Sequence, residues 1–400
     1  MIKTVGSTGS AGDVFRAFLK LGLTSFGGPI AHLGYFHREL VIRRNWIDEA
    51  GYADLVALCQ FLPGPASSQV GFSLGLLRAG PLGALAAWLA FTLPSAILLV
   101  LFAFGVAALQ GPVATGLLHG LKLVAVAIVA QAVWGMARTL APDCERAGMA
   151  LVALLIVTLV GGAIGQIGAI LVGGLAGLWL CRSAPVAVMG KLTFPVSRRA
   201  GMISLGLYFL LLFLLPALVA ANSSHGLDLF DAFYRSGALV FGGGHVVLPL
   251  LQSAVVGPGW ISPGAFLAGY GAAQAVPGPL FTFAAYLGAA STPTPNGIVG
   301  AAIALLGIFL PGILILIGVL PFWDILRTRP LAQAGMRGVN AAVVGLLGAA
   351  LYSPVWTSAV LSPFDFALAA IGFVLLVVWK VPPWVVIVLL ATCGIGMSLQ

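Results

Sequence analysis

The stretch Gln60-Phe61-Leu62-Pro63-Gly64-Pro65 decides the fold, because it returns in the second half of the chain as Gln274-Ala275-Val276-Pro277-Gly278-Pro279. Each copy lies inside an apolar run. Proline removes a backbone hydrogen bond and clashes with the preceding helical turn, and glycine loosens a helix. The two copies therefore predict helix breaks at equivalent positions in two related halves.

The composition indicates that the surface of the protein faces lipid. Of the 400 residues, 60% are hydrophobic and 8% are charged, whereas a soluble domain has about a quarter charged residues. Apolar runs of roughly 20 residues, the length that spans a bilayer, follow one another with short connections. We therefore expect an all-α polytopic membrane protein without a large soluble domain or a cleaved signal peptide.

The apolar runs predict about thirteen transmembrane helices, six before and six after a linking helix. The first six are expected near 14–34, 50–78, 82–109, 116–137, 147–162 and 163–181, and the last six near 233–256, 264–289, 297–321, 335–352, 363–379 and 383–399. The predicted domains are a polar N-terminal tail (1–12), an N-terminal repeat (13–181), a basic cytoplasmic linker (182–200), a linking transmembrane helix (201–222) and a C-terminal repeat (223–400).

A second motif supports the duplication. Ser25-Phe26-Gly27-Gly28-Pro29 corresponds to Val240-Phe241-Gly242-Gly243-Gly244, and the spacing between matching motifs stays nearly constant. Other matching residues are Trp46 with Trp260, Pro94 with Pro311 and Lys122 with Arg337. An even number of helices per repeat would leave both repeats in the same orientation across the membrane. One additional linking helix makes the second repeat start on the opposite side of the membrane. We therefore expect two six-helix repeats in inverted topology, with discontinuous helices at their interface.

Positive charges in the loops predict the orientation of the chain. If the N-terminus is cytoplasmic, the basic loops around 78, 138–146, 182–199, 327–329 and 380 are cytoplasmic too, and the C-terminus is periplasmic. The loops 110–115, 222–232, 290–296 and 353–362, on the other side, contain no Lys or Arg. Arg38, Arg43 and Arg44 disagree with this assignment. Either the first segment is a re-entrant hairpin, or these arginines serve another purpose.

Helix breaks in lipid persist where the freed backbone groups are buried in protein or line a water-filled cavity. The N-termini of half-helices present unpaired N–H groups and a partial positive charge, which suits an anion. Close helix packing is the alternative explanation for the glycines and prolines. The candidate substrate-binding residues at the breaks are Phe26, Gly27, Gly28, Pro29, Gln60, Pro63, Gly64, Pro65, Phe241, Gly242, Gly243, Gly244, Gln274, Pro277, Gly278 and Pro279.

Polar side chains near the breaks extend the candidate site. The amides of Gln60 and Gln274 each offer two donors to an oxyanion, or else link neighbouring helices. Lys122 and Arg337 are candidate cations for an anionic substrate, although such side chains also reach toward lipid headgroups. The candidates for proton coupling are Glu39, Asp54, His32 and His245.

These motifs resemble those of the chromate ion transporter family, in its long, two-domain form. The resemblance rests on the paired Phe-Gly-Gly and Gln-x-x-Pro-Gly-Pro motifs, on the stretch 36–46 and on the duplication, and it covers essentially the whole chain. It implies chromate efflux from the cytoplasm across a bacterial inner membrane, driven by the proton motive force, with sulfate as a competitor. Gly244 stands where the first half has Pro29, so the halves need not contribute equally.

The resulting hypothesis is a secondary active transporter of a tetrahedral dianion that confers chromate resistance. A sulfate or other oxyanion importer and an anion channel with the same half-helix site stay open as alternatives. We expect no enzyme and no catalytic residue, since the chain lacks HExxH and its histidines are scattered. No metal, cofactor or nucleic acid is expected. The expected partners are chromate, sulfate, protons and membrane lipid, and a homodimer is left open.

Overall fold

The computed structural model describes residues 9–108, 111–182, 194–222, 224–241, 244–326 and 328–399, and these form helices and connections without a β-strand. The helices before the linker are α1 (Ala11–Thr24), α2 (Gly28–Phe36), α3 (Glu49–Phe61), α4 (Ala66–Ala108), α5 (Pro112–Leu140), α6 (Cys144–Val160) and α7 (Gly162–Leu180), with a π-helical segment at His37–Arg43.

The second part of the chain begins with α8 (Arg198–Ala221). It continues with α9 (His225–Ala238), α10 (Val247–Val255), α11 (Pro263–Ala275), α12 (Phe283–Ala290), α13 (Gly297–Val319), α14 (Trp323–Leu326), α15 (Pro330–Ala350), α16 (Thr357–Ala359), α17 (Pro363–Val377) and α18 (Pro383–Ser398). Short 3₁₀ helices lie at Gly244–Val246, Leu280–Thr282 and Leu320–Phe322, and a π-helical segment lies at Leu351–Trp356.

Helices α1 and α2 form a hairpin. The Gly9 amide donates to the Arg78 carbonyl at 3.0 Å, and at the far end of α1 the Cα of Gly22 packs on the backbone of Phe91. The chain then reverses at Gly27, where φ is 97°. It returns to the starting end, because the Arg78 guanidinium lies over the Trp46 ring at 5.5 Å.

Helices α3 and α4 form a second hairpin beside the first. Pro63-Gly64-Pro65 is its tip, and the first arm of α4 returns to Arg78. There α4 breaks at Ala79 and Gly80, whose dihedral angles are not helical. Gly75 and Gly83 then pack closely on each other, so the two arms of α4 run antiparallel. The long second arm, 81–108, carries the chain away from this end.

The second half repeats both hairpins. The His225 ring, at the start of α9, packs on Trp260 with 4.6 Å between ring centroids. Trp260 follows α10, so the start of α9 and the end of α10 lie side by side. Helices α11 and α12 also return to this place, since His225 Nε2 lies 3.2 Å from Ser291 Oγ. Gly278 lies in the tip between them.

The two pairs of hairpins open toward opposite ends of α13. Its first residue, Gly297, lies beside α12, whereas its last residues lead to Trp323, whose Nε1 donates to Asp54 Oδ1 near the start of α3 at 3.3 Å. We call the end with Arg78 and Trp323 the Arg78 end, and the end with Trp260 and Gly297 the Trp260 end. Helix α8 packs on α13 and α9 and connects the two ends.

The predicted helices at 14–34, 50–78, 233–256 and 264–289 differ from the structure, since each contains two helices with a break between them. Five helical segments of the described chain are long and apolar enough to cross a membrane, judged by length and composition: Ala66–Gly105, Pro112–Leu140, Arg198–Ala221, Gly297–Leu326 and Pro330–Ala359. The count of thirteen is therefore not confirmed. Hydropathy alone cannot distinguish an apolar hairpin from a span of the same length.

Candidate functional site

The four helix breaks meet through two equivalent hydrogen bonds. The Gly64 amide donates to the Val240 carbonyl at 2.8 Å, and the Gly278 amide donates to the Ser25 carbonyl at 2.9 Å. Ser25 and Val240 both directly precede a Phe-Gly sequence. Each Pro-Gly-Pro tip therefore bonds to the first break of the other half. The same contact is made twice with the halves exchanged.

Glycine is required at both tips by conformation and by space. Gly64 has φ of 115° and Gly278 has φ of 106°, values in the left-handed region that residues with a Cβ rarely adopt. A Cβ on Gly64 would stand 2.9 Å from Gly312 Cα, and a Cβ on Gly278 would stand 2.8 Å from Ser95 Oγ. Any larger side chain would push the halves apart.

The two Phe-Gly-Gly regions also face each other. A Cβ on Gly244 would lie 3.1 Å from Pro29 Cγ, and one on Gly28 would lie 3.9 Å from His245 Nε2. Phe26 and Phe241 are partly buried beside these turns. Gly242 and Gly243 lie outside the described residues. The structure thus brings the described members of all four predicted breaks together.

Buried polar atoms with unused hydrogen-bonding capacity surround this junction. Six such atoms have no hydrogen-bond partner of good geometry among the described residues: Ser25 Oγ, His32 Nε2, Ser68 Oγ, Gln69 Oε1, Thr92 Oγ1 and Gln274 Nε2. Buried polar groups are normally satisfied, and a cluster of exceptions requires an explanation. The hydroxyls, the Gln274 amide nitrogen and an imidazole N–H can donate to an oxyanion, whereas Gln69 Oε1 can only accept a hydrogen bond.

Gln69 holds the first tip in place. Its Nε2 donates to the Pro63 carbonyl and to the Gly312 carbonyl, each at 2.9 Å. One buried amide therefore joins the tip of the first half to α13 of the second half. Sequence reasoning missed Gln69 and Thr92. For Gln69 the signal was the polar run Ser67-Ser68-Gln69, one residue after Pro65, inside an otherwise apolar segment.

The paired glutamines occupy different environments. Gln60 lies exposed on α3, one turn before the tip, whereas Gln274 is half-buried on α11. Only Gln274 places an amide nitrogen, Nε2, in a buried position without an acceptor among the described residues. The sequence match between the two positions therefore does not extend to their surroundings.

The paired cations lie away from the breaks. Arg337 donates from Nη1 to the Cys181 carbonyl at 2.8 Å and from Nη2 to Gln333 Oε1 at 3.0 Å, so it closes the C-terminal end of α7. Lys122 Nζ lies 3.0 Å from the position that a Cβ on Gly264 would take, at the start of α11. The structure does not bring these two side chains together.

Glu39 lies at the Arg78 end, in a cluster of ion pairs outside the long helices. Its carboxylate accepts hydrogen bonds from Lys20, Arg43 and Arg44 at 2.9–3.2 Å. Burial acts to raise the pKa of Glu39, but the hydrogen bonds from these three cations outweigh it and lower the pKa to about 2. Glu39 therefore stays ionised at neutral pH, and the cluster fixes the end of the first hairpin.

Of the other proton-coupling candidates, Asp54 and His32 are buried and His245 is half-buried. Asp54 is 3% exposed, and its Oδ1 accepts from the Trp323 indole. His32 is fully buried, with Nδ1 at 3.4 Å from Ser67 Oγ. His245 Nδ1 lies 2.8 Å from the Tyr270 hydroxyl, and this contact directs Nε2 toward Gly28. Both histidines adjoin the junction, whereas Asp54 lies toward the Arg78 end.

Comparison with known proteins agrees with this arrangement. A family profile described as Chromate transporter matches residues 12–178 and again residues 227–395. The chain belongs to the chromate transporter family. The two matched stretches contain the two pairs of hairpins.

Relatives in this family cover most of the chain. The chromate transport protein of Pseudomonas aeruginosa is 28% identical over 398 residues, which is 95% of this chain and 90% of that protein. A probable chromate transport protein of Synechococcus elongatus is 28% identical over 84% of this chain and 82% of its own length. The chromate transport protein of Cupriavidus metallidurans is 26% identical over 84% and 80%, respectively. No solved structure matches the chain significantly.

Proposed function

We propose that this protein is a secondary active transporter that exports chromate from the cytoplasm, driven by the proton motive force, and thereby confers chromate resistance. The observation that carries the proposal is the pair of exchanged hydrogen bonds between Gly64 and Val240 and between Gly278 and Ser25. Family membership supports the substrate. The junction supports the mechanism, because its contacts belong to both halves and must change if the halves rock against each other.

The directions of the hairpins support an inverted repeat. Those of the first half, within 13–181, open at the Arg78 end, and those of the second half, within 223–400, open at the Trp260 end. The linking helix, predicted at 201–222, connects the two ends. We therefore propose two repeats in inverted topology, each made of two re-entrant hairpins and further helices, with the substrate site where the four hairpin tips meet.

The charges of the loops support a cytoplasmic Arg78 end. Arg38, Arg43 and Arg44 lie in or directly after the π-helical segment that follows the returning arm of the first hairpin, at the same end as Arg78, so they too support this assignment. The connections at the Trp260 end, at 109–111, 222–224, 256–262, 291–296 and 351–362, contain no Lys or Arg. We propose an inner-membrane protein with a cytoplasmic N-terminus and a periplasmic C-terminus.

The proposed anion site consists of polar groups at the junction. The N-termini of α2 and α4 supply unpaired N–H groups and about half a positive charge each. Ser25, Thr92 and Gln274 supply side-chain donors. The imidazoles of His32 and His245, which adjoin the tips, supply further N–H donors, whereas Lys122 and Arg337 lie away from the tips. Sulfate has the charge and shape of chromate, and we propose it as a competitor.

Chromate accumulation in cells tests the proposal. Cells that express the chain should accumulate less chromate than cells that carry an empty vector, and a proton uncoupler should remove the difference. Excess sulfate should reduce export measured in inverted vesicles. Greater accumulation in expressing cells would indicate an importer, and export that persists without a proton gradient would indicate a channel. The Gly135→Leu protein, altered at an exposed site on α5, serves as a matched control.

A further inference from the structure

A second polar region lies between the junction and the Trp260 end. It is a cavity of about 300 Å³ bounded by α7, α8, α9 and α10, whose polar lining includes Asp228, Asp231, Arg235, Gln166 and Ser253. Sequence reasoning assigned none of these residues to a site. The signal was a carboxylate and an arginine four positions apart in a segment predicted to border or enter the membrane.

Asp231 is the buried acid of this cavity. The residue is 2% exposed, and its Oδ2 accepts from Arg235 Nη2 at 2.6 Å. Its Oδ1 accepts no hydrogen bond among the described residues, and Arg235 Nε likewise donates none. The ion pair is therefore half-satisfied, with one carboxylate oxygen left for a proton. Ionisable groups at membrane depth are costly, and in transporters they commonly form proton relays.

The surroundings of Asp231 favour a proton over the anionic cargo. On α9 the charged or titratable neighbours are His225, Asp228, Tyr234 and Arg235, and from α8 Tyr208 packs on Tyr234. The sequences of α7, α10 and α13 contain no acidic, basic, histidine, tyrosine or cysteine side chain. Two carboxylates therefore face one guanidinium. The resulting negative charge would repel a dianion and attract a proton.

Arg235 has no evident role in orienting the chain. The connections at the Trp260 end contain no Lys or Arg, so an arginine on the α9 arm runs against the distribution of positive charge. By the alignment of the two Phe-Gly-Gly motifs, Asp231 and Arg235 correspond to Arg16 and Lys20 of α1. Arg16 and Lys20 are both exposed. At this position of the repeat, a buried acid therefore occurs only in the second half.

Helix α9 connects this ion pair to the junction. Asp231 lies about two turns before Val240, whose carbonyl accepts the Gly64 hydrogen bond. Gly237 packs directly on the Ile308 carbonyl of α13, so α9 and α13 are in close contact along this stretch. A change of charge at Asp231 can therefore act on the tip contact through one short helix.

We propose that Asp231 carries the coupling proton, which reaches it from the Trp260 end through this cavity, and that Arg235 is its positioning residue. The inference rests on the proposed function. Asp231 Oδ1 takes a proton from a hydronium ion in the cavity and becomes a neutral carboxylic acid, which breaks its ion pair with Arg235 and leaves Asp228 as the remaining carboxylate of the cavity. Release of the proton restores the ion pair. Protonation thereby selects between two arrangements of α9.

Purified protein in liposomes separates coupling from anion movement. Two rates are measured: chromate transport driven by an imposed pH gradient, and exchange of chromate across the membrane without a gradient. Asp231→Asn should lose gradient-driven transport and keep exchange. Asp228→Asn, which removes the neighbouring carboxylate and keeps Asp231, should keep exchange and driven transport, with the pH at half-maximal driven transport shifted downward. Asp231→Glu, which retains a titratable carboxyl group, should restore part of the driven rate.

The positioning role of Arg235 has its own measurement. Removing a positive charge beside a carboxylate favours the protonated form. Arg235→Gln should therefore shift the pH at half-maximal driven transport upward, whereas Arg235→Lys should keep it near that of the native protein. This measurement also tests the inference if Asp231→Asn fails to fold.

Three results would overturn the inference while leaving the proposed function intact. The first is normal gradient-driven transport by Asp231→Asn. The second is an equal loss of driven transport and exchange in a folded Asp231→Asn protein. The third is a pH profile of Arg235→Gln that does not shift. Absence of both activities in the native protein would instead overturn the proposed function itself.

Discussion

The hairpins of the two halves share their geometry and differ in their chemistry. Counted from the matching prolines Pro65 and Pro279, Gln69 corresponds to Phe283, and counted from Pro94 and Pro311, Thr92 corresponds to Phe309. Gln69 and Thr92 are buried polar residues, whereas Phe283 and Phe309 are buried aromatic ones. The first half thus supplies most of the unused donors at the junction.

This difference indicates a division of labour. The aromatic rings of the second half pack on one another, as Phe283 does on Tyr286 and Phe281 does on Phe309, with centroids 5.9–6.0 Å apart. Such packing favours a rigid support. The backbone contacts of the junction are the same in both halves, whereas the side chains around them differ. We expect changes to the shared backbone to affect transport most and changes to side chains of one half to affect it less.

The largest effect is expected at the shared glycines. Gly64→Leu and Gly278→Leu should each abolish chromate transport. A Cβ at either tip would collide with the other half, and leucine rarely adopts the left-handed φ that each tip requires. Vesicle uptake and the amount of protein in the membrane are measured together. Gly135→Leu, on an exposed helix face, should transport normally. Normal transport by either tip variant, with protein present in the membrane, would refute a role for the tips.

The next effect is expected at Gln69. Gln69→Leu removes two hydrogen bonds and leaves the Pro63 and Gly312 carbonyls buried without this donor, at a cost of about 1–3 kcal/mol each. Thermal unfolding should occur at a lower temperature and the transport rate should fall. Phe283→Leu, at the matching position of the second half, should lower the unfolding temperature and change the half-saturating chromate concentration little. Equal transport defects in both variants would contradict the division of labour.

A smaller effect is expected at Thr92. Thr92→Val keeps the shape of the side chain and removes one donor that has no acceptor among the described residues. If the hydroxyl donates to the anion, the half-saturating chromate concentration should rise about two- to tenfold, as expected for a hydrogen bond of about 0.5–1.5 kcal/mol. Phe309→Leu is the matched control. An unchanged value in Thr92→Val would remove Thr92 from the site.

The smallest effect on transport is expected at Glu39. Its pKa is lowered in the folded protein, so its ion pairs stabilise the fold above the unfolded value of about 4.3, and this contribution is lost as the pH falls toward 2. Glu39→Gln should lower the unfolding temperature at neutral pH, and the difference from the native protein should narrow below about pH 4. Driven transport should keep its pH dependence. A shifted transport profile would make Glu39, rather than Asp231, the proton carrier.

The helical membrane class, the repeated motifs and the positions of the helix breaks could be predicted from composition and sequence pattern. Composition is decisive because lipid excludes charged surface, and Pro-Gly-Pro breaks a helix whatever surrounds it. The motifs at Gly64 and Gly278 could therefore be predicted from the sequence to meet at one junction, as the structure shows.

Only the tertiary structure decided which broken segments return and which polar residues meet. An apolar hairpin and an apolar span have the same hydropathy, so the sequence left open whether residues 14–34 span the membrane or form a hairpin. The contact between Arg78 and Trp46 shows that the chain returns to the end where α1 begins. The match between Lys122 and Arg337 in the sequence likewise did not show how far either side chain lies from the helix breaks. Arg337 contacts the C-terminal end of α7, away from the junction. Gln69, Thr92 and Asp231 became candidates only through burial and the state of their hydrogen bonds, which depend on residues far away in the chain.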